Sequence, residues 1–178
     1  MGFVDPQTVN NPTAGQPATA AWGDAVRDAA VYLGTGKPHA RVYNTATQTL
    51  TTATNTVVTF DSERYDVGSC HSTSSNTSRL TVPSGEGGVY TIGASIGFAA
   101  NATGERIVDI LLNGTTIIAR IRHPAGAASQ IDMTITTEYT LAAGDYVEVQ
   151  LYQNSGGNLN TVAGGDYSPE FWWRWVST

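Results

Sequence analysis

From Arg41 onward, apolar and polar residues alternate with a period of two over most of the chain. This alternation is typical of strands that bury one face. Turn-forming sequences such as "PSGEGG", "AAGD" and "NSGGN" separate the alternating segments. The clearest predicted strands are residues 56–60, 79–82, 88–100, 132–141 and 145–153, and two more within 106–121. About eight to ten short strands without an internal helix predict an all-β, antiparallel, double-sheet fold, with a jelly-roll sandwich as the favoured version.

The sequence "RIVDILLNGTTIIARI" places two apolar runs around Asn113-Gly114. Asn-Gly is favoured in two-residue type I′ hairpin turns. With these two residues as the loop, Leu112 faces Thr115, and alternate pairs outward share one face. The predicted buried patch is Val108, Ile110, Leu112, Ile117 and Ala119, with Asp109 and Arg120 as diagonal neighbours on the opposite face.

The first 39 residues follow a different pattern. Pro6, Pro12 and Pro17 favour an extended segment. Thr19 is a predicted N-cap, and apolar residues recur at helical spacing from there to Leu33. The apolar stripe consists of Trp22, Val26, Ala29 and Leu33. We therefore predict an extended arm with one short α-helix over residues 1–39, followed by a head over residues 40–178.

The arm helix has a charged side and defined end signals. Asp24 and Arg27 form a predicted i,i+3 pair. Gly34, Gly36 and Pro38 are expected to end the helix. An isolated helix of this length is marginal in water, so we expect its apolar stripe to dock on another protein. The alternative is a helix folded back against its own domain.

Composition excludes several classes of partner. Charged residues make up 13% of the chain, against roughly 25% in typical domains. The net charge is −6 and Lys37 is the single lysine, so a nucleic-acid partner is not expected. Cys70 is the single cysteine and forms no internal disulfide. Neither a signal peptide nor a membrane span is expected, which predicts synthesis in a cytoplasm and no membrane partner.

Two sequences resemble catalytic motifs without their required context. "GASIG" at 93–97 matches a nucleophile-elbow pattern, but it lies within a predicted strand, and the only later histidine is His123. "GTGK" at 34–37 resembles the end of a phosphate-binding loop, but Pro38 follows where a Ser or Thr is needed. We therefore expect no catalytic residues, and the chain is not expected to be an enzyme.

Metal sites are also not expected. Cys70 and His71 are adjacent, and neighbouring side chains on a strand point to opposite faces. A threefold axis could still gather three copies of His71. Asp61, Glu63 and Asp66 lie near Arg64 and are expected to cap turns or face solvent, so neither metal nor cofactor is predicted.

The sequence "EFWWRWV" near the carboxyl terminus is the most unusual in composition. Alternation places Phe171, Trp173 and Trp175 on one face, and Trp172 with Arg174 on the other. Aromatic residues on both faces predict that the second face also contacts something: a second subunit, the arm, or a sugar. The predicted core or subunit-interface aromatics are Tyr90, Phe171, Trp172, Trp173 and Trp175.

Several of these segments, in this order, resemble the complement-globular-head and tumour-necrosis-factor jelly rolls. They are "VTFDSERYDVGS", "RLTVPSGEGGVYTIGASIGF", "DILLNG", "TLAAGDYVEVQLYQ" and "SPEFWWRWV". The resemblance covers roughly residues 41 to 176. It implies a homotrimer that recognises other molecules and does not catalyse.

The arm sequence "NNPTAGQPATAAWGDAVRDAAVYL" is similar to amino-terminal segments of bacteriophage structural proteins. This resemblance implies a virion protein anchored to tail or capsid proteins by its arm. The predicted docking residues are Pro12, Pro17, Trp22, Val26, Arg27 and Leu33. The expected function is host-surface adhesion as a tail fibre, spike or minor tail protein, with a host receptor as partner. The alternative is capsid decoration.

Overall fold

The computed structural model describes residues 17–126 and 129–178. The chain divides into two compact units, Met1–Lys37 and Pro38–Thr178. The division lies two residues before the boundary that the sequence predicts. Each unit is described separately below.

The first unit contains the helix α1, Ala20–Val31. The Thr19 side chain caps it and accepts a hydrogen bond from the Trp22 amide at 3.2 Å. The chain remains helical as a π-helical turn over Tyr32–Gly36, so Gly34 does not end the helix. Lys37 is extended because the residue before a proline is disfavoured in the helical region, and the helical segment ends there.

The described residues of the second unit form two five-stranded sheets, one two-stranded sheet and one 3₁₀ turn at Gly165–Tyr167. The strands are β1 His39–Tyr43, β2 Thr49–Leu50, β3 Thr56–Val57, β4 Ser62–Val67, β5 Arg79–Thr81, β6 Gly88–Phe98, β7 Glu105–Leu112, β8 Thr116–Pro124, β9 Ile131–Leu141, β10 Tyr146–Gln153, β11 Leu159–Asn160 and β12 Glu170–Ser177. The strands predicted at 88–100, 132–141 and 145–153 correspond closely to β6, β9 and β10.

Two sheets form the sandwich. The front sheet has the strand order β4-β1-β12-β6-β9, and the back sheet has the order β3-β10-β7-β8, with β5 also pairing with β10. The strand pairings are antiparallel. The carboxyl-terminal strand β12 therefore lies in the middle of the front sheet, between β1 and β6. This architecture confirms the predicted all-β jelly-roll sandwich preceded by one short helix.

Apolar side chains from both sheets fill the space between them. Tyr90 packs against Trp173 with ring centroids 4.7 Å apart, and Phe60 packs against Phe171 at 5.7 Å. The Tyr90 hydroxyl donates to the Glu86 carbonyl at 2.7 Å, which satisfies its polar end inside the core. Further fully buried side chains are Val42, Leu50, Val58, Leu80, Ile92, Ile96, Phe98, Val108, Ile110, Val147, Val149 and Leu151.

The β7–β8 hairpin turns at Asn113-Gly114, as predicted, and both residues have positive φ. The register of this hairpin differs from the predicted one. Leu112 pairs with Thr116, and a bulge at Ile118 then shifts the pairing so that Ile110 faces Ala119.

The bulge changes which hairpin residues reach the core. Ile117 is not buried as predicted but 46% exposed, and Ile118 packs against the core in its place. Asp109 and Arg120 are direct partners, not diagonal ones, and form two hydrogen bonds of 2.7 Å each.

Candidate interaction surface

The apolar residues predicted for docking lie on the first unit. Pro12 lies outside the described residues. Pro17 is exposed and Trp22 is half-buried. Val26 is 40% exposed and Leu33 is 53% exposed. Two of the four residues of the predicted stripe are therefore open to solvent in the single chain.

Arg27 pairs with residues of its own helix. Its Nη1 lies 2.9 Å from the Asp24 carboxylate, which is the predicted i,i+3 pair, and its Nη2 lies 3.2 Å from Asp28. The hydrogen bond with Asp28, followed by the charge of Asp24, raises the pKa of Arg27. The guanidinium is thus already paired, and docking through Arg27 would have to replace these contacts.

The aromatic residues of β12 divide between the two faces of the front sheet. Phe171 and Trp173 are buried in the core beside Tyr90, and Trp175 packs partly against it. Trp172 points to the opposite face and is half-buried. The alternation predicted for "EFWWRWV" is therefore correct, and Trp172 is its contribution to the outer face of the front sheet.

Trp172 lies over a glycine of the neighbouring strand. A β-carbon added to Gly93 of β6 would stand 2.5 Å from Cζ2 of the indole, closer than carbon atoms can approach. The pairing of the five front-sheet strands places one residue of each strand in a row that contains Trp172 and Gly93. In order from β4 to β9, the row is Tyr65, Arg41, Trp172, Gly93 and Thr136.

On one side of Trp172, two arginines converge on one glutamate. Glu170 is 3% exposed in its side chain and accepts from Nε of Arg41 at 2.5 Å and from Nε of Arg64 at 2.9 Å. Each guanidinium also contacts a ring: Arg41 lies 5.6 Å from Trp172, and Arg64 lies 4.4 Å from Tyr43. The hydrogen bond to Glu170 raises the pKa of Arg64. The buried carboxylate thus fixes both cations.

An open depression of ≈ 390 Å³ lies at this cluster. Arg64 also donates to the Gly165 carbonyl at 3.2 Å and lies 3.7 Å from the exposed carboxylate of Asp166. The residues that line the depression are Arg41, Arg64, Tyr65, Asp166 and Glu170. No local sequence pattern indicates this cluster, because its members come from three separate segments of the chain.

The other side of Trp172, on β6 and β9, is small and mostly uncharged. Thr134 donates to Ser95 at 3.3 Å, and Thr91 donates to Glu138 at 3.1 Å. Thr136 is exposed beside Gly93. A surface with few charges and short side chains has a low cost of desolvation on contact with another protein.

The sequences that resemble catalytic motifs have structural positions. "GASIG" lies within β6, and Ser95 faces Thr134 on the neighbouring strand.

Cys70 is buried, and this burial raises the pKa of its thiol to about 12. The His71 ring is also buried, with Nδ1 2.9 Å from the Glu63 carboxylate and Nε2 3.1 Å from the Thr77 carbonyl oxygen.

The acidic residues near Arg64 organise loops. Asp61 accepts from the Thr45 amide and hydroxyl at 2.9 and 2.6 Å. Asp66 accepts from the Cys70 and His71 amides at 2.9 and 3.0 Å. Within residues 17–126 and 129–178, no group of three or more His, Cys, Asp or Glu side chains could hold a metal ion. In the same residues, no helix is both long and apolar enough to cross a membrane.

Comparison with known proteins shows the fold. No protein-family model matches the sequence, and no curated protein matches it either. Among solved structures, the globular domain of zebrafish complement 1qA protein is similar with a TM-score of 0.56 and 15% identity, over 79% of this chain and 98% of that one.

Murine APRIL is similar as well. Its crystal structure at pH 5.0 has a TM-score of 0.59 and 10% identity, and the one at pH 8.0 has a TM-score of 0.57 and 11% identity. Each match covers 78% of this chain and 98% of that one. The predicted resemblance of the head to the complement and tumour-necrosis-factor jelly rolls is confirmed at the level of fold.

Proposed function

We propose that this chain is a non-enzymatic binding protein that assembles as a homotrimer through the β6–β9 half of its front sheet. The observation that carries the proposal is the outer face of that sheet, where the half-buried Trp172 adjoins a surface of Thr, Ser and Gly. This face has few charges to desolvate. The jelly-roll fold shared with complement 1qA and APRIL supports self-association and a recognition function.

The mass of the full chain in solution tests this assembly. We expect light scattering to give three times the 18.8 kDa of one chain. Thr136→Lys places a cation beside Gly93 in each copy, and we expect the assembly to dissociate because the charge is desolvated on contact. Thr116→Lys, at an exposed position of β8 in the back sheet, is the matched control. A monomeric wild type, or equal loss with both variants, would refute this interface.

We further propose that residues 1–39 dock the head on a bacteriophage particle. Two features support this: the similarity of the arm sequence to amino-terminal segments of phage structural proteins, and the exposure of Val26 and Leu33. Trp22, Arg27 and the prolines of the arm complete the proposed docking segment. Three arms in a trimer would strengthen attachment by effective concentration.

On this proposal the protein is a tail fibre, spike or minor tail protein that binds the host surface. The polar loops at 71–78 and 154–160 are the proposed receptor contacts. Capsid decoration is the second candidate, and the absence of a repeating shaft sequence between arm and head favours it. Nucleic acid and membrane are not proposed as partners.

Co-purification with particles tests the arm. The full chain is expected to sediment with particles, and a chain without residues 1–39 is expected to stay in the supernatant as a folded trimer. A tagged full chain, imaged by electron microscopy, then separates the two locations. Label at the tail supports adhesion, and label over the shell supports decoration. A truncated chain that still binds particles would overturn the docking proposal.

A further inference from the structure

The cluster around Glu170 combines two fixed cations with one buried anion. Arg41 and Arg64 each donate to Glu170, whose side chain is almost completely buried. Each also lies over an aromatic ring, Trp172 or Tyr43. These contacts hold both guanidiniums in place, which reduces the entropy lost when a ligand binds them.

The two carboxylates of the cluster bind its cations unequally. Arg41 and Arg64 both pair with the buried Glu170, and Asp166 is the second carboxylate, so the formal charges sum to zero. Asp166 is fully exposed and lies 3.7 Å from Arg64, so this pair contributes little because water screens it. An anionic ligand can therefore replace Asp166 at Arg64.

Donor groups remain for such a ligand. A guanidinium carries five N–H groups on three nitrogens. The contacts with described residues use Nε and Nη2 of both Arg41 and Arg64. Nη1 of each arginine is therefore left to donate to a carboxylate, and hydrogen bonds of this kind are stronger than those between neutral groups.

The remaining lining residues indicate what carries the carboxylate. Tyr65 is 46% exposed, and its ring, which lies 5.5 Å from the His39 ring, can contact the C–H groups of a ligand. The Asp166 carboxylate can accept from hydroxyl groups. The volume of ≈ 390 Å³ suits a small molecule, since ligand pockets span about 300–1,000 Å³.

We propose that the depression between Arg41 and Arg64 binds an acidic sugar, with the sugar carboxylate on the two arginines and the ring against Tyr65. This inference rests on the proposed binding function and supplies its ligand class. The β6–β9 half of the sheet, which the proposed trimer uses, lies on the other side of Trp172.

Titration of the full chain with glucuronic acid tests the inference, with glucose as the uncharged control. We expect glucuronic acid to give NMR chemical-shift changes, or heats of binding, that saturate. Glucose is expected to bind at least about tenfold more weakly because it lacks the charged group. Binding of glucuronic acid is expected to weaken as salt is raised.

Arg64→Gln removes one cation and leaves Arg41 on Glu170. We expect it to weaken glucuronic acid binding at least about tenfold. Arg79→Gln is a matched control, because Arg79 also pairs with a mostly buried glutamate, Glu148, and stacks on Tyr146 at 3.9 Å. That site has a single arginine, so its loss is expected to leave binding unchanged.

Tyr65→Ala tests the same site without removing a charge. Tyr65 is exposed, so the variant is expected to fold, and binding is expected to fall about threefold or more. No saturable binding of glucuronic acid, equal binding of glucose, or equal loss in Arg79→Gln and Arg64→Gln would overturn the inference. Mass measurements on the same samples report separately on the proposed trimer, so its failure would be distinguishable.

Discussion

The indole of Trp172 occupies the space that a side chain at Gly93 would need. A β-carbon at Gly93 would stand 2.5, 2.6 and 2.8 Å from three atoms of the indole. Gly93 is buried in the middle of β6, where glycine otherwise weakens a strand. The close approach of Trp172 gives a physical reason for glycine at this position.

Gly93→Ala is therefore expected to displace Trp172 and lower the free energy of unfolding by about 1–3 kcal/mol, the typical cost of overpacking. Urea unfolding followed by tryptophan fluorescence measures the change. Gly157→Ala is the control, because no atom of residues 17–126 or 129–178 lies within 4 Å of a β-carbon there, and its φ is not positive. A Gly93→Ala protein as stable as the Gly157→Ala protein would show that Trp172 moves aside without cost.

The bulge in β8 predicts opposite behaviour for two adjacent isoleucines. Ile118 packs against the core and Ile117 is largely exposed. Ile118→Ala is expected to cost about 1–2 kcal/mol of unfolding free energy from lost apolar burial. Ile117→Ala is expected to stay within about 0.5 kcal/mol of wild type. Thermal or urea unfolding of both variants checks the register. A larger loss in Ile117→Ala than in Ile118→Ala would instead support the predicted register with a two-residue loop.

The same hairpin shows what sequence can and cannot predict. Asn113-Gly114 identifies the turn because both residues must adopt positive φ. The bulge at Ile118 leaves no local signal, because one extra apolar residue within "TTIIARI" reads equally well in either register. Long alternating strands such as β6 and β10 were predicted, since many positions repeat the same signal.

The candidate site was only partly predictable for a related reason. Alternation within "EFWWRWV" places Trp172 outside the core. Its neighbours Arg41 and Gly93 come from strands far away in sequence, and only the order β1-β12-β6 brings them together. The pairing of Arg41 and Arg64 with Glu170 likewise joins residues more than 100 positions apart. Local patterns carry no information on such contacts.

Thr19 is expected to control the start of α1. Its hydroxyl accepts from the Trp22 amide, so Thr19→Ala leaves that amide without its protein partner. Loss of an N-cap costs about 1 kcal/mol, which corresponds to roughly fivefold faster amide exchange in the first turn. Hydrogen exchange of residues 20–23 measures this effect. Thr19→Ser keeps the hydroxyl and is expected to exchange like wild type; equally fast exchange in both variants would exclude capping by the hydroxyl.

The buried thiol of Cys70 is expected to make the protein less stable at high pH. Burial raises the pKa of its thiol from 9.0 to about 12, so the folded protein keeps a proton that the unfolded chain releases. The contribution of the buried, protonated thiol to the free energy of unfolding is fully present below pH 9 and is lost as the pH rises from about 9 towards 12. Urea unfolding between pH 8 and 11 measures the slope. Cys70→Ala removes the titrating group and is expected to show a shallower decline; parallel curves for the two proteins would contradict this cause.

His71 is predicted to hold the 68–78 loop against β4. Its Nδ1 lies 2.9 Å from the Glu63 carboxylate on β4, and its Nε2 lies 3.1 Å from the Thr77 carbonyl oxygen. His71→Phe keeps an aromatic ring but removes both ring-nitrogen contacts, at a cost of about 0.5–1.5 kcal/mol each. The Thr77 carbonyl keeps its hydrogen bond from the Phe60 amide at 2.9 Å. Amide exchange in residues 70–78 is therefore expected to accelerate, while exchange in β6 and β10 stays at the wild-type rate.

A matched variant separates this local effect from a general one. His123 is exposed on β8, and its Nδ1 contacts the carbonyl of the adjacent Pro124. His123→Phe is expected to leave exchange in the loop unchanged, because no contact of His123 reaches β4 or the loop among the described residues. Unchanged loop exchange in His71→Phe would show that the two amide contacts of Asp66 are sufficient to hold the loop. Faster exchange throughout the sandwich would instead place His71 among the residues that stabilise the whole fold.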